Sequence, residues 1–281
     1  MPLISNAYGK GRVRVMRVDR STDRHEVHEL SVLTMLEGGF GAAYTAADNR
    51  AVVSTDTIKN IAYIVARENM GASPEIYAGK LAARFLERYP QVDRATVRTT
   101  ETRWTRAILG GVAHPHTFTL DANGKPTVAL TAGRDGSVAV VSGIAGYTFM
   151  KSTESGWADY VMDEYTTLPE TRDRIAATAM DATWTWQATP ADYPATNAQI
   201  LSTMLEVFGT TYSHGVQDSL YRMGEAALAA VPELSMISMA CPNKHYIPMN
   251  LDRFDRSADN MVFIATDEPH GQIECTVGRV G

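Results

Sequence analysis

Several short stretches of this 281-residue chain concentrate side chains that donate, accept or carry protons. Tyr8-Gly9-Lys10-Gly11 sets a lysine between glycines at the start of a strand. Ala51-Val-Val-Ser-Thr-Asp-Thr-Ile-Lys-Asn60 runs from a buried strand end into a helix, with Ser54, Thr55, Asp56 and Thr57 in a row where one of them suffices as a cap. A charged segment over residues 163–174 ends in Arg174, Val216-Gln217 opens a helix, and Asn243-Lys244-His245-Tyr246 opens a strand after Pro242. His114-Pro115-His116 places two imidazoles on one side of an extended segment, where a third ligand from elsewhere would complete a metal site. No third ligand lies nearby in sequence, so a polar strand end is the simpler reading. His25 and His28, among Arg24, Glu26 and Glu29, read as a solvated strand face.

Taken singly, each of these has an ordinary structural role. Lys10 can be a solvated strand end, Arg174 a partner for Glu170 in an exposed network, Gln217 a first-turn helix residue and His245 a satisfied core histidine. Nucleotide-binding glycine loops, an HExxH helix and a G-x-S-x-G elbow are all missing.

The elements that must position these residues follow from periodicity. Arg12-Val13-Arg14-Val15 alternates, and Leu30, Val32, Thr34 and Leu36 recur every second residue, which predicts two strands. Ile58, Ile61, Ala62 and Val65 predict a helix after the Ser-Thr-Asp-Thr run. Ser73-Pro74-Glu75 starts a second helix with the stripe Tyr77, Leu81, Phe85 and Tyr89, ended by Pro90. Strands are expected at 95–108 and 127–141, with Asp121-Ala-Asn-Gly124 as a turn.

The second half repeats this order. Strands at 146–151 and 180–187 precede helices marked by Leu201, Met204, Leu205 and Phe208, and by Val216, Leu220, Met223 and Ala227. Strands at 234–239, 246–251, 262–265 and 273–277 follow, with Pro248 at an edge or bulge. The fold class is therefore α+β: two tandem ββααββ units, 1–142 and 143–281, each an antiparallel sheet with helices on one face. The other sheet face needs cover, which predicts an oligomer with curved sheets around a channel and sites at subunit borders.

Composition bounds the partners. With 44% apolar and 21% charged residues the chain buries a full core, and a net charge of -6 with a pI of about 5.7 excludes general affinity for nucleic acid or an anionic membrane. Without a signal peptide or a membrane-length apolar run, the chain is expected to be cytoplasmic. Cys241 and Cys275 are far apart and read as buried small apolar residues.

Across nearly the whole chain, the types and order of these residues resemble the cofactor-free urate oxidase (uricase) family. The resemblance is carried by Tyr8-Gly-Lys10, Ala43-Tyr-Thr with Asp48-Asn49, Thr55-Asp-Thr-x-Lys-Asn60, His114-Pro-His116, Lys151-Ser-Thr-x-Ser155, Tyr165-Thr-Thr-Leu168, Asp173-Arg174, Val216-Gln217, Pro242-Asn-Lys-His-Tyr246 and Thr276-Val-Gly-Arg279. It implies the T-fold, a homotetramer around a tunnel, and active sites shared between subunits. It also implies oxidation of urate by O2 and water to 5-hydroxyisourate and hydrogen peroxide, the first step of urate degradation, with neither metal nor organic cofactor.

By the same resemblance, Arg174 and Gln217 grip urate in its plane, with the Val216 amide as a further donor. Thr55 and the backbone at Asp56 reach the substrate from a neighbouring subunit. Lys10, Thr55 and His245 form a proton relay, and Asn243 holds O2 or water above the ring. Where the family has a stacking phenylalanine this chain has Trp157, whose larger indole is expected to alter affinity or substrate tolerance. The terminal Arg279-Val-Gly281 lacks the Ser-Lys-Leu peroxisomal address. Two alternatives belong to other classes: a purine- or pterin-binding T-fold protein without turnover, and a metal-dependent T-fold hydrolase using His114 and His116.

Overall fold

The computed structural model describes residues 1–69, 71–256 and 260–279. The chain divides into two compact units, Met1–Gly143 and Ile144–Gly281. In the first, β1 (Tyr8–Asp19), β2 (Glu26–Gly38), β3 (Val92–Leu109) and β5 (Lys125–Gly133) pair antiparallel in that order, and β4 (Val112–Asp121) pairs with the far half of β3. Helices α2 (Thr55–Asn69) and α3 (Pro74–Arg88) follow a short α1 (Gly41–Thr45), which periodicity did not reveal.

The expected apolar stripes form the core. Ile58, Ile61, Ala62 and Val65 of α2, and Tyr77, Leu81 and Phe85 of α3, lie in one buried cluster with Leu30, Val32 and Leu36 of β2. Burying each large side chain stabilises the fold by about 1.5–3 kcal/mol. Helix α3 starts where Ser73 Oγ accepts from the Ile76 amide at 3.1 Å, with Pro74 in its first turn.

The expected strand 127–141 is instead the end of β5 and the start of β6 (Val138–Lys151). The Asp135-Gly136 turn divides them: Asp135 Oδ1 accepts from the Ser137 amide at 3.0 Å, and Gly136 sits at φ 86°. The segment 25–29 is also less solvated than expected. Glu29 is buried, accepting from Arg14 and from the Trp104 indole at 2.9 Å, because the far end of β3 crosses it.

The second unit contains most of β6, β7 (Ala176–Trp186), α4 (Tyr193–Thr210), α5 (Val216–Ala230), β8 (Leu234–Pro248) and β9 (Phe263–Gly278). β8 lies between β7 and β9, antiparallel to both, and α5 packs on β8 and β9. Trp184, Met180, Ile200, Met204 and Ile237 are buried here.

The four short strands expected at the end of the chain are two long ones. Their pairing jumps from Asn243↔Gly271 to His245↔Thr266, so β9 bulges over residues 267–270 while β8 advances by only two. That polar bulge is what reads in sequence as a break. Pro248 is the last residue of β8, beyond the Ala177↔Lys244 pair that ends its pairing with β7. Cys241 is buried as expected, whereas Cys275 is only half-buried because it lies on β9, the last strand of the unit. Val280 and Gly281, the end of the chain used in the targeting argument, lie outside the described residues. Among the described residues no helix is long and apolar enough to cross a membrane.

Candidate active site

The predicted site residues fall into two groups, one in each unit. In the first, the start of β1 is fastened to the approach of α2: Tyr8 Oη accepts from the Val53 amide at 2.7 Å and donates to the Val53 carbonyl at 3.1 Å. Two residues on is Lys10, followed by a bulge in the β1–β2 pairing with Arg12 at φ 54°. Gly9 is structural, because a Cβ there would stand 1.8 Å from the Thr34 carbonyl oxygen.

At the start of α2 the row of four polar residues divides its labour. Ser54 is the cap: its Oγ accepts from the Asp56 amide at 3.2 Å and its carbonyl from the Ile58 amide at 3.0 Å. Asp56 pairs with Lys59 at 2.6 Å and Asn60 at 3.0 Å. The Lys59 ammonium holds its carboxyl below the usual range, and the Lys10 charge adds to this. Thr55 is exposed, and its hydroxyl makes no hydrogen bond among the described residues. Lys10, Thr55 and Asp56 thus share one corner of the first unit.

The second group lines one cavity of about 820 Å³, within the range of small-molecule sites. Trp157, Arg174, Val216, Gln217, Asn243 and His245 all face it. Main-chain bonds hold the three segments that carry the first four. Trp157 and Thr171 exchange amide–carbonyl bonds of 2.7 and 2.9 Å, and the Arg174 amide donates to the Ser155 carbonyl at 2.9 Å. Gly156 donates to the Ser213 carbonyl at 2.9 Å, and Ser213 to that of Glu154 at 2.9 Å.

Trp157 forms an aromatic floor. Its ring stacks on Tyr160 with centroids 5.5 Å apart and planes within 15°, and the Arg174 guanidinium lies 5.9 Å from its centroid. Burial lowers the Arg174 pKa from its ordinary value, yet an arginine stays charged. Among the described residues its buried Nε has no hydrogen-bond partner. Beside it, α5 begins at Gly215 without a side-chain cap, so the first amides of a 15-residue helix point outward with their partial positive charge.

On the facing wall, Asn243 and His245 flank the register jump of β8, while Lys244 turns to Asp267 at 2.9 Å. The cavity therefore offers an aromatic plane, a guanidinium whose Nε has no partner among the described residues, the uncapped first amides of α5 and an imidazole. This donor set suits a flat, anionic, hydrogen-bonding heterocycle. Gly215 and Tyr160 were not anticipated; the only sequence signal for Gly215 is a glycine directly before the Val216-Gln217 helix start.

His114 and His116 lie elsewhere, on β4, with rings edge to face at 4.6 Å, and His25 is 5.9 Å from His116. Among the described residues no three His, Cys, Asp or Glu side chains are grouped to hold a metal ion.

Comparison with known proteins points one way. The family model described as Uricase matches residues 6–131 and 140–274. The uricase of Arthrobacter globiformis is 38% identical over 98% of this chain and 89% of that protein, and the uricase of Aspergillus flavus is 36% identical over 97% and 95%. The crystal structure of the Arthrobacter globiformis uricase superposes with a TM-score of 0.95 at 37% identity, covering 100% of this chain and 96% of that one.

Proposed function

The chain belongs to the uricase family, and from that premise we propose that it oxidises urate with O2 and water to 5-hydroxyisourate and hydrogen peroxide in the cavity of the second unit. Two electrons leave urate, O2 becomes peroxide, and water adds to the oxidised ring, so the reaction balances without metal or organic cofactor. The observation that carries this reading is the Arg174 Nε, without a partner among the described residues, in the same cavity as the uncapped start of α5 and with its guanidinium 5.9 Å from the centre of the Trp157 ring.

Arg174 and Gln217 grip urate in its plane, the Val216 amide donates to it, and Trp157 stacks beneath. Urate is itself an electron-rich reductant, so the protein has to take a proton, exclude bulk water and hold O2 against one face. Asn243 holds O2 or water there. His245 relays the proton with Lys10 and Thr55, since an imidazole carries one ring nitrogen that donates and one that accepts. Thr55 and the Asp56 backbone come from a neighbouring copy in a homotetramer, its curved sheets closing around a tunnel; the exposure of Thr55, next in the chain to the Asp56 that the Lys10 charge reaches, supports this. The cytoplasmic location expected from the sequence belongs to the same reading.

The test is turnover of urate by chelator-treated protein, following ultraviolet absorbance loss, O2 uptake and peroxide release together. Equal urate loss and peroxide release are expected, with kcat of Lys10→Met lower by about a hundredfold. Urate binding without turnover would leave a purine-binding module instead.

A further inference from the structure

The indole of Trp157 and the backbone of Gly215 are in closer contact than any side chain at residue 215 would permit. A Cβ built on Gly215 would lie 2.9 Å from Cζ3 and 3.2 Å from Cε3 of Trp157, both on the six-membered ring, and 3.2 Å from Oε1 of Gln217. Real Cβ atoms do not approach a ring carbon this closely, so one partner would have to move. The backbone itself does not demand glycine: φ at Gly215 is 179°, an extended value open to any residue. Glycine is also a poorer helix cap than serine or aspartate, and Ser54, Ser73 and Asp192 fill the corresponding places at the starts of α2, α3 and α4. What remains to explain Gly215 is space.

The indole has little freedom to yield. One face stacks on Tyr160, and the Trp157 main chain is tied to Thr171 on both sides. A methyl at 215 would therefore displace or tilt the ring and press on the Gln217 amide at the same time.

We propose that Gly215 is a positioning residue of the substrate site: by lacking a Cβ it seats the fused ring of Trp157, so that residues 157 and 215 jointly set the height of the aromatic floor and the place of the Gln217 amide. The inference rests on the proposed urate chemistry and extends it to substrate discrimination. A tryptophan floor works only with glycine at 215, whereas a phenyl ring, which lacks the fused ring, tolerates a side chain there. The pair acts as a unit.

The test is a double-mutant cycle on urate affinity, measured anaerobically so that no oxidation occurs, with Gly215→Ala, Trp157→Phe and the double variant. Gly215→Ala is expected to weaken binding about tenfold, as a misplaced contact does, and Trp157→Phe about threefold through lost stacking area. The double variant is expected to match Trp157→Phe, because the smaller ring clears the new methyl. Melting temperatures control for folding: the weaker cap lowers Tm in Gly215→Ala and in the double variant alike, whereas affinity recovers only in the double. Losses that multiply to about thirtyfold, or a Gly215→Ala variant that binds as wild type does, would overturn the proposal. Turnover in air separates the two readings. Intact coupling with no wild-type turnover contradicts the oxidation alone, and turnover with multiplicative losses contradicts the role of Gly215 alone.

Discussion

The two units treat the ends of their helices alike and the starts differently. At the end of α3, Arg134 donates to the carbonyls of Leu86, Tyr89 and Val92; at the end of α5, Arg279 donates to those of Leu228, Val231 and Leu234. The acceptors have the same three-residue spacing in both, so the orphan carbonyls of the second helix are satisfied by one repeated device. At the starts, α3 is sealed by Ser73, whereas α5 has only Gly215 and presents its amides to a cavity. In the first unit the polar surplus sits on α2 instead, where Ser54 does the capping and leaves the exposed Thr55 hydroxyl without a partner among the described residues. What stabilises the fold is duplicated, and what serves chemistry is not.

Breaking the unduplicated part should have the largest effect. Arg174→Ala removes the charged fork from the cavity, and kcat/KM for urate is expected to fall by about a hundredfold or more with Tm nearly unchanged, as steady-state kinetics beside thermal melts would reveal. Breaking the duplicated part should do the reverse. Arg134→Ala and Arg279→Ala are each expected to cost about 2 kcal/mol in urea unfolding, similar in size because the acceptor sets match, and to leave kcat/KM near wild type. Widely different costs would mean that the repeat is only geometric.

Smaller still is Ser73→Ala at the sealed helix, expected to lose about 1 kcal/mol of stability without loss of activity. Tyr77 gives a pH-dependent version of the same contrast. Its hydroxyl donates to the Ala62 carbonyl at 3.1 Å inside the first core, and burial pushes its pKa well above the ordinary value. Below about pH 10 both folded and unfolded chains keep the proton; above it the unfolded phenol ionises and the buried one does not. Stability is therefore fully present below that pH and falls as pH rises beyond it. Tyr77→Phe should flatten this alkaline decline in melts taken across the range, at a cost of about 1 kcal/mol near neutrality.

The sequence made the helices and the repeat legible because apolar stripes such as Tyr77, Leu81 and Phe85 report burial directly. It was less informative where polar turns interrupt pairing. The Asp135-Gly136 turn has the residue pattern of continuing strand, whereas the 267–270 bulge in β9 has that of a break, since local residue types do not reveal which partner strand absorbs an irregularity. The site was legible as chemistry but not as geometry. Arg174, Val216-Gln217 and Asn243 to His245 could be named from residue types and family likeness, yet their meeting in one cavity depends on the 155–174 and 213–215 main-chain bonds. Gly215 and Tyr160 carry almost no signal of their own, because a close approach and a ring stack exist only after folding.

The most direct test of the account is a crystal structure of the protein with urate under anaerobic conditions. The account predicts urate lying flat on Trp157, its edge held by Arg174, Gln217 and the Val216 amide, with Thr55 of a second copy reaching the opposite edge. Urate bound anywhere else, or a cavity that no second copy's Thr55 can reach, would contradict it.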